Sequence, residues 1–302
     1  MRDAFECDDP LAERRYAYAL SAAEEGDWAT AAEVFEQALE LAPQWAPAWF
    51  GLGEAREKLG DRLGAAAAFR AAQAADLGDA HGAGARLGLL EATQATLLPP
   101  AYIAHLFDDY APRFDDHLIE GLAYRGPALI AQALDRVASA RHFARALDLG
   151  CGTGLAGAAL RGRVGTLIGV DLSPGMVAKA RETGLYDKLD VGEVVAFLAL
   201  AKPGSADLII AADVLGYLGD LNPVFAGIAR VLAPEGLFAA SIETLEGDGF
   251  SLGPGMRFAH GDAHVREAAD QAGLRILDLT PAALRHEAGR EVKARIGVFA
   301  RL

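Results

Sequence analysis

The sequence predicts two domains: an all-α repeat domain, then an α/β domain built on a mostly parallel sheet. Two observations carry this prediction. Residues 12–77 repeat with a period of 34 residues, which is typical of stacked helical hairpins. From residue 141 onward, short apolar runs alternate with helical patterns, and the first run ends in alternating glycines that lead into a helix. We place the domain boundary between residues 98 and 99, where Leu97–Pro100 interrupts the helical pattern.

Composition restricts the possible classes of function. The 302 residues include 42 acidic and 28 basic ones, a formal net charge of −14, so a basic surface for nucleic acid is not expected. The first ten residues lack the apolar core of a signal peptide, and no apolar run reaches the length of a membrane span. Cys7 and Cys151 belong to no metal-type cluster. We therefore expect a cytoplasmic protein with no metal site and neither a membrane nor a nucleic-acid partner.

The repeat consists of two units and a capping helix. Five positions of the first unit recur in the second, namely Gly26/Gly60, Asp27/Asp61, Ala31/Ala65, Phe35/Phe69 and Ala38/Ala72. This pattern resembles the tetratricopeptide repeat, a helix–turn–helix unit with small residues where its helices cross. Residues 79–96 are predicted to form a further helix that caps the stack. The resemblance implies either a groove for a partner protein or a surface for packing and self-association, and the sequence does not separate the two.

The run LDLGCGTG, residues 147–154, is the most informative motif of the chain. Its alternating glycines, Gly150, Gly152 and Gly154, allow positive φ and let a ligand approach the backbone closely. A second strand ends at Asp171, whose carboxylate can accept hydrogen bonds from a ribose. These features predict an adenosine-containing ligand. A formal G-x-G-x-x-G match over residues 152–157 also suits a dinucleotide, but Asp148 would repel a pyrophosphate and can instead hold an ammonium group.

LDLGCGTG followed by GVDLSPGMVAKAR resembles the first two cofactor motifs of class I S-adenosylmethionine-dependent methyltransferases. The resemblance extends from about Tyr102 to the C-terminus. It implies S-adenosylmethionine as the cofactor and a Rossmann-like domain of seven strands, the last of which usually runs antiparallel. The residues that it places at the cofactor are Asp148, Gly150, Cys151, Gly152, Gly154, Asp171, Leu172, Met176 and Ala211.

Two further segments are assigned by the same resemblance. Residues 99–140 are expected to form a helical lid over the sheet core of residues 141–302. Within it, FDDYAPRFDDHL resembles the helix that covers the cofactor in ubiquinone- and menaquinone-type methyltransferases, which implies that Tyr102, Tyr110 and Phe114 cover the site. At the exit of the third strand, the family uses an acidic residue and the next backbone N–H to bind adenine. Glu193 and Val194 take these places, with Asp190 as an alternative.

Candidates for the chemistry lie after the fourth and fifth strands, which we predict at residues 206–211 and 237–242. Sixth and seventh strands are predicted at residues 274–279 and 294–300. Ligands of open α/β sheets bind at the carboxyl ends of the strands, so the glycine-rich segment over residues 243–264 should border the site. The candidates there are His260, as a base or an orienting group, Arg257 with Arg285, as partners of a substrate carboxylate, and Tyr217.

We expect an enzyme that methylates an oxygen or nitrogen of a small molecule. Methyl transfer from a sulfonium needs alignment in a dry pocket, and a base only where the acceptor is protonated, so no single residue is obligatory. Two alternatives stay open: a protein acceptor recruited by the repeats, and an interaction protein that senses the cofactor without turnover. The order of the two domains resembles a bacterial group of predicted methyltransferases that carry such repeats.

Overall fold

A computed structural model describes residues 6–93, 95–287 and 289–301, apart from the side chain of Glu120. The chain forms two compact units, one up to His105 and one from Leu106 onward. The division falls within the helix α6, Pro100–Tyr110, a few residues beyond the composition break that marks the predicted boundary. Within the described part of the chain, no helix has the length and apolar character needed to cross a membrane.

The first unit is a succession of helices, each packed on the next. Asp27 and Asp61 open the second helix of each repeat, where their side chains accept hydrogen bonds from the backbone N–H of Thr30 and Gly64 over 3.1 and 2.9 Å. The five helices before α6 are α1 (Pro10–Glu24), α2 (Trp28–Leu41), α3 (Ala46–Lys58), α4 (Arg62–Ala75) and α5 (Ala83–Glu91).

Small residues lie where the helices of this unit cross. A Cβ at Gly53 would lie 2.5 Å from Cε1 of Phe69, and a Cβ at Gly51 would lie 2.5 Å from Cζ of Phe35. Both phenylalanines are buried and occupy equivalent positions of the two repeats. The close approach expected for stacked repeats is therefore confirmed. The capping helix α5 is shorter than the predicted span of residues 79–96, because left-handed residues stand at both its ends, and Gln94 of that span lies outside the described residues.

The second unit is an α/β sandwich. Its remaining α-helices are α7 (Phe114–Asp116), α8 (Gly126–Ala138), α9 (Leu155–Leu160), α10 (Pro174–Glu182), α11 (Val194–Leu200), α12 (Asn222–Val231) and α13 (Asp262–Gln271), and a π-helical segment spans His117–Gly121. Its strands are β1 (Phe143–Leu149), β2 (Val164–Asp171), β3 (Lys188–Val191), β4 (Ala206–Ala211), β5 (Leu232–Glu243), β6 (Phe250–Leu252), β7 (Phe258–His260), β8 (Leu274–Glu287) and β9 (Arg290–Arg301).

Seven of these strands form one sheet in the order β3-β2-β1-β4-β5-β9-β8. Strands β1 to β5 are parallel, and β9 runs antiparallel to both of its neighbours, as expected. Strand β5 begins before the predicted residue 237 and contains an irregularity, where Glu235 has φ 61° and the register against β4 shifts. The segment that follows β5 carries the separate hairpin β6–β7, which the sequence pattern did not predict.

The sheet is covered on both faces, which explains why its central strands are mostly apolar. One face packs on α11, α12 and α13 around the rings of Phe225, Phe238 and Phe299, and the other face packs on α8 and α9. Because the parallel strands end at one edge, the loops after β1, β2, β4 and β5 meet there. That edge positions the candidate site.

Candidate functional site

The glycine loop between β1 and α9 has the backbone conformation that its sequence predicts. Gly150, Gly152 and Gly154 have φ values of 63°, 54° and 104°, a region that side-chain-bearing residues rarely adopt. A Cβ at Gly150 would collide with the side chain of Val214, whereas a Cβ at Gly152 would have one neighbour within 4 Å among the described residues, Cε1 of Phe114 at 4.0 Å. The loop therefore presents bare backbone at Gly152, beneath a ring of the predicted lid.

Asp171 ends β2 beside this loop and fixes its shape. One carboxylate oxygen accepts a hydrogen bond from the backbone N–H of Gly152 over 2.8 Å, and the other accepts from that of Ser173 over 2.9 Å. Burial raises the pKa of Asp171. Each carboxylate oxygen can accept a further hydrogen bond. Asp171 therefore joins the glycine loop to the start of α10 and keeps acceptor capacity for a ligand.

Asp148 lies behind the loop and is fully buried. Its Oδ2 accepts a hydrogen bond from the hydroxyl of Tyr186 over 2.6 Å, while its Oδ1 has no hydrogen-bond partner among the described residues. Burial raises the pKa of Asp148 to about 7. Cys151, the spacer of the loop, is buried as well, and burial raises the pKa of its thiol.

Two carboxylates attach the lid to the cofactor motifs. Oδ1 of Asp108 accepts hydrogen bonds from the hydroxyl of Ser173 over 2.5 Å and from the backbone N–H of Gly175 over 2.8 Å. Asp115 accepts from the hydroxyl of Thr153 over 2.5 Å. Sequence reasoning selected the aromatic residues of this segment and missed both aspartates. The signal that could have found them is the repeated FDD triplet, residues 107–109 and 114–116.

The aromatic residues of the lid form a chain of edge-to-face contacts. The ring of Phe114 lies 5.2 Å from that of Tyr110 and 6.1 Å from that of Phe107, and Phe107 lies 5.4 Å from Tyr217. Tyr110 and Phe114 therefore lie together beside the glycine loop, and Phe107 is a member that sequence reasoning missed. Tyr102 belongs to the first unit, where burial raises its pKa and the neighbouring charges are those of Arg86 and Glu54.

A cluster of paired charges lies after β4 and β5. Nε of Arg257 donates to Glu243 over 2.5 Å, its Nη1 donates to the hydroxyl of Tyr217 over 2.5 Å, and its Nη2 pairs with Asp213. Arg285 pairs with the same two carboxylates, at 2.9 Å from Glu243 and 3.2 Å from Asp213. The structure thus brings Arg257 and Tyr217 together, with both guanidinium groups neutralised by side chains of this chain.

The charges of this cluster determine its protonation states. Burial raises the pKa of Tyr217 to about 12, so its hydroxyl stays protonated. Burial alone would raise the pKa of Glu243 too, but the two arginines lower it. Asp213 adopts a φ of 62°, which is rare for a residue other than glycine. The ion pairs with Arg257 and Arg285 hold it there.

His260 lies on β7 with 1% of its surface exposed. Its Nε2 is 3.2 Å from the carbonyl oxygen of Leu215, and its Nδ1 has no partner within the described part of the chain. Burial lowers the pKa of His260 to about 4, so the imidazole is neutral at physiological pH. The ring stacks on that of His264 at 5.6 Å. Its role as a base stays a prediction, and with this pKa it would be a weak one.

The residues assigned to adenine lie at the start of α11. Glu193 caps this helix by accepting hydrogen bonds from the backbone N–H of Val195 and Ala196 over 2.9 and 2.7 Å. Val194 begins the helix and is buried, and Asp190 pairs with Lys188 over 2.5 Å. Glu193 and Asp190 both line a groove of about 500 Å³ between α11 and the sheet edge.

The remaining residues that the sequence places at the cofactor lie within or next to the elements that carry the cofactor motifs. Met176 is fully buried in the first turn of α10, Leu172 is half-buried, and Ala211 is buried at the end of β4. The described residues contain no group of three or more His, Cys, Asp or Glu side chains arranged to hold a metal ion. The site is thus built from the glycine loop, two acidic residues, the lid and the paired charges.

Comparison with known proteins agrees with this architecture. A model of the methyltransferase domain matches residues 147–240, and a model of the tetratricopeptide repeat matches residues 12–55. Methyltransferase-like protein 27 of Homo sapiens is 40% identical over 89 residues, which are 29% of this chain and 36% of that protein. The ubiquinone biosynthesis O-methyltransferase of Xanthomonas campestris is 33% identical over 121 residues, 38% of this chain and 51% of that enzyme. The chain therefore spans a third to a half of the curated relatives it matches.

Solved structures share the fold at low sequence identity. The 1,6-didemethyltoxoflavin-N1-methyltransferase of Burkholderia thailandensis aligns with a TM-score of 0.52 at 17% identity, over 66% of this chain and 88% of that one. A putative methyltransferase of Haloferax volcanii, solved with a methyltransferase activator, aligns with a TM-score of 0.50 at 23% identity, over 64% and 96%. At these identities the likeness concerns the fold.

Proposed function

We propose that this chain, which carries a class I methyltransferase domain behind tetratricopeptide repeats, transfers a methyl group from S-adenosylmethionine to an oxygen or nitrogen of a small molecule. The observation that carries the proposal is the glycine loop at Gly152, open to a ligand, with Asp171 beside it and Asp148 behind it. Asp171 suits the ribose of the cofactor, and Asp148 suits its ammonium group. A dinucleotide would place a pyrophosphate where Asp148 offers a buried negative charge.

The residues present fit S-adenosylmethionine. Asp171 keeps an acceptor position on each oxygen for ribose hydroxyls, and the unpartnered Oδ1 of Asp148 suits the ammonium group. Glu193 and Val194 are the proposed adenine contacts, and Tyr110 and Phe114 the proposed cover. When bound, the cofactor supplies a methyl group on a positively charged sulfur.

The lid contributes alignment and exclusion of water. Asp108 and Asp115 hold it on the start of α10 and on the glycine loop, with aromatic rings between these two attachments. A dry, ordered pocket is the main requirement of an in-line displacement. Tyr217 is the proposed orienting group for the acceptor: its oxygen already accepts from Arg257, so its proton points elsewhere and can be donated to the acceptor.

Arg257 and Arg285 hold Tyr217 and two carboxylates in place, so we propose a positioning role for Arg257 in preference to capture of a substrate carboxylate. His260 remains the candidate for a base where the acceptor must lose a proton. The proposal implies the cytoplasm as the compartment.

A second candidate function is methylation of a protein that the repeats recruit. The match of residues 12–55 to the tetratricopeptide repeat favours it, since such repeats commonly bind proteins. The same repeats suit self-association. A third reading, binding of the cofactor without turnover, makes the methyltransferase domain a sensor.

Two measurements test these functions. Calorimetry with S-adenosylmethionine should give a saturable binding curve, and no heat at millimolar ligand from folded protein would refute the proposal. Methylation of a small-molecule panel is then compared between the full chain and a variant that lacks residues 1–98. Activity of the full chain on free small molecules supports the first function. Activity confined to a protein acceptor, and lost without the repeats, supports the second.

A further inference from the structure

Tyr186 occupies space that three glycines leave open. It lies between α10 and β3, and a Cβ at Gly157 would come within 2.5 Å of its hydroxyl oxygen. A Cβ at Gly169 would lie 2.9 Å from its Cε1, and one at Gly154 would lie 3.2 Å from its Cε2. Glycines of the cofactor loop, of α9 and of β2 thus surround one phenol ring. Part of the glycine content of this region therefore serves to admit a tyrosine.

The phenol reaches the buried carboxylate behind the loop. Its hydroxyl donates to Oδ2 of Asp148 over 2.6 Å, and Oδ1 of the same carboxylate has no partner among the described residues. Burial raises the pKa of Tyr186 well above its usual value, so the hydroxyl is a permanent donor. A buried polar atom without a partner costs free energy, and a charged one costs more. A cation next to Oδ1 would remove that cost.

We propose that Tyr186 is a positioning residue that holds Oδ2 of Asp148 and thereby keeps Oδ1 free for the ammonium group of the cofactor. This inference rests on the cofactor assigned above. Glycines of three elements lie next to the ring, so it has little room to move. Rotation of the carboxylate would cost the hydrogen bond of 2.6 Å, so the phenol selects one orientation of Asp148.

Binding of the amino-acid part of the cofactor then depends on whether the carboxyl group of Asp148 carries a proton. Burial raises the pKa of Asp148 to about 7, with Asp171 raising it further and the hydroxyl of Tyr186 and the backbone N–H of Gly157 lowering it. The neighbouring thiol of Cys151 is neutral because burial raises its pKa. An ammonium group favours the ionised carboxylate, so below pH 7 binding must displace a proton. Affinity should fall about tenfold for each pH unit well below the pKa.

The experiment measures affinity for S-adenosylhomocysteine by calorimetry between pH 5 and 8. Wild type should bind with constant affinity at the upper end and lose affinity toward pH 5. In Tyr186→Phe the ring still fills its place but the donor is gone, so the loss should begin at a higher pH. Asp148→Asn should bind weakly with no such dependence. Tyr18→Phe, at a tyrosine that is 62% exposed in the first unit, is the matched control and should follow wild type.

A second ligand separates this inference from the proposed function. Methylthioadenosine keeps the nucleoside but lacks the amino-acid part, so its affinity should not fall with pH in the same way. The same pH profile in wild type and Tyr186→Phe would overturn the inference, and so would an equal fall for methylthioadenosine. No binding of either ligand to folded wild type would instead overturn the cofactor assignment on which the inference depends.

Discussion

Removal of one guanidinium from the paired charges should destabilise the second unit strongly. Arg257, Asp213 and Glu243 have side chains that are 14%, 18% and 13% exposed, so the pairs are largely withdrawn from solvent. Breaking a buried pair by deleting one partner costs about 3–5 kcal/mol, because a charge stays behind uncompensated. In Arg257→Met, Arg285 still pairs with both carboxylates. We therefore expect the lower end, about 3 kcal/mol.

A second substitution tests the physical reason for this loss. Arg257→Met leaves Arg285 with two largely buried carboxylates, Asp213 and Glu243, and with Glu287, whose side chain is 52% exposed. Adding Asp213→Asn brings the buried part of the cluster back to one charge of each sign. The double variant should therefore recover part of the lost stability, as a double-mutant cycle would detect. Arg136→Met is the matched control. Its pair with Asp278 is similarly short at 2.5 Å, but Arg136 is 47% exposed, so its removal should cost about 0–1 kcal/mol.

Hydrogen exchange followed by mass spectrometry suits this prediction, because it resolves the two units. A loss of about 3 kcal/mol should speed exchange in peptides from β4 and β5 by roughly 100-fold or more. Peptides from the repeats provide an internal reference. A change in β4 and β5 no larger than that of Arg136→Met, or a double variant less stable than the single one, would refute the electrostatic account of this cluster.

Three further changes have expected outcomes. Asp108→Ala removes the acceptor for Gly175 N–H, so that amide should exchange faster and residues 106–121 should become more sensitive to protease. Asp171→Ala should weaken binding of S-adenosylhomocysteine by about 1.5–3 kcal/mol for each charge-assisted bond lost, measured by calorimetry on protein whose circular dichroism is unchanged. Gly53→Ala should destabilise the first unit by about 1–3 kcal/mol through its collision with Phe69. All three tryptophans lie between residues 28 and 49, so their fluorescence reports this unit, and Gly162→Ala, at an open position, is the control.

Features set by neighbouring residues could be predicted from the sequence. The helix caps at Asp27 and Asp61, the strand that ends at Asp171 and the left-handed glycines each depend on a few adjacent residues, and all are present. The period of 34 residues predicted the repeats for the same reason, since each unit repeats one local pattern. The predicted bounds of β5 and of the capping helix were less accurate. A backbone irregularity extends β5 toward its start, and left-handed residues at both ends shorten the helix.

Features set by distant residues could not be predicted in this way. The contacts of Asp108 with Ser173 and Gly175 join positions 65 and 67 residues apart. The FDD triplet marks Asp108, but no local pattern shows which residues it contacts. Arg257 looked available for a substrate because the sequence does not show that Asp213 and Glu243 meet it after β4 and β5. His260 looked like a loop residue near the site, yet pairing of β7 with β6 buries it.

The glycine loop shows why the number of glycines overstates how much backbone a ligand can touch. Gly150 makes room for Val214, and Gly154 and Gly157 make room for Tyr186, so three of the four glycines between residues 150 and 157 are required by side chains of the chain itself. Gly152 differs, because among the described residues a Cβ there would have one neighbour within 4 Å, Cε1 of the lid residue Phe114 at 4.0 Å. A ligand therefore meets this loop at Gly152, whose N–H is already bound to Asp171. The match to a dinucleotide motif arises from packing, and the acidic residues on either side carry the chemical information.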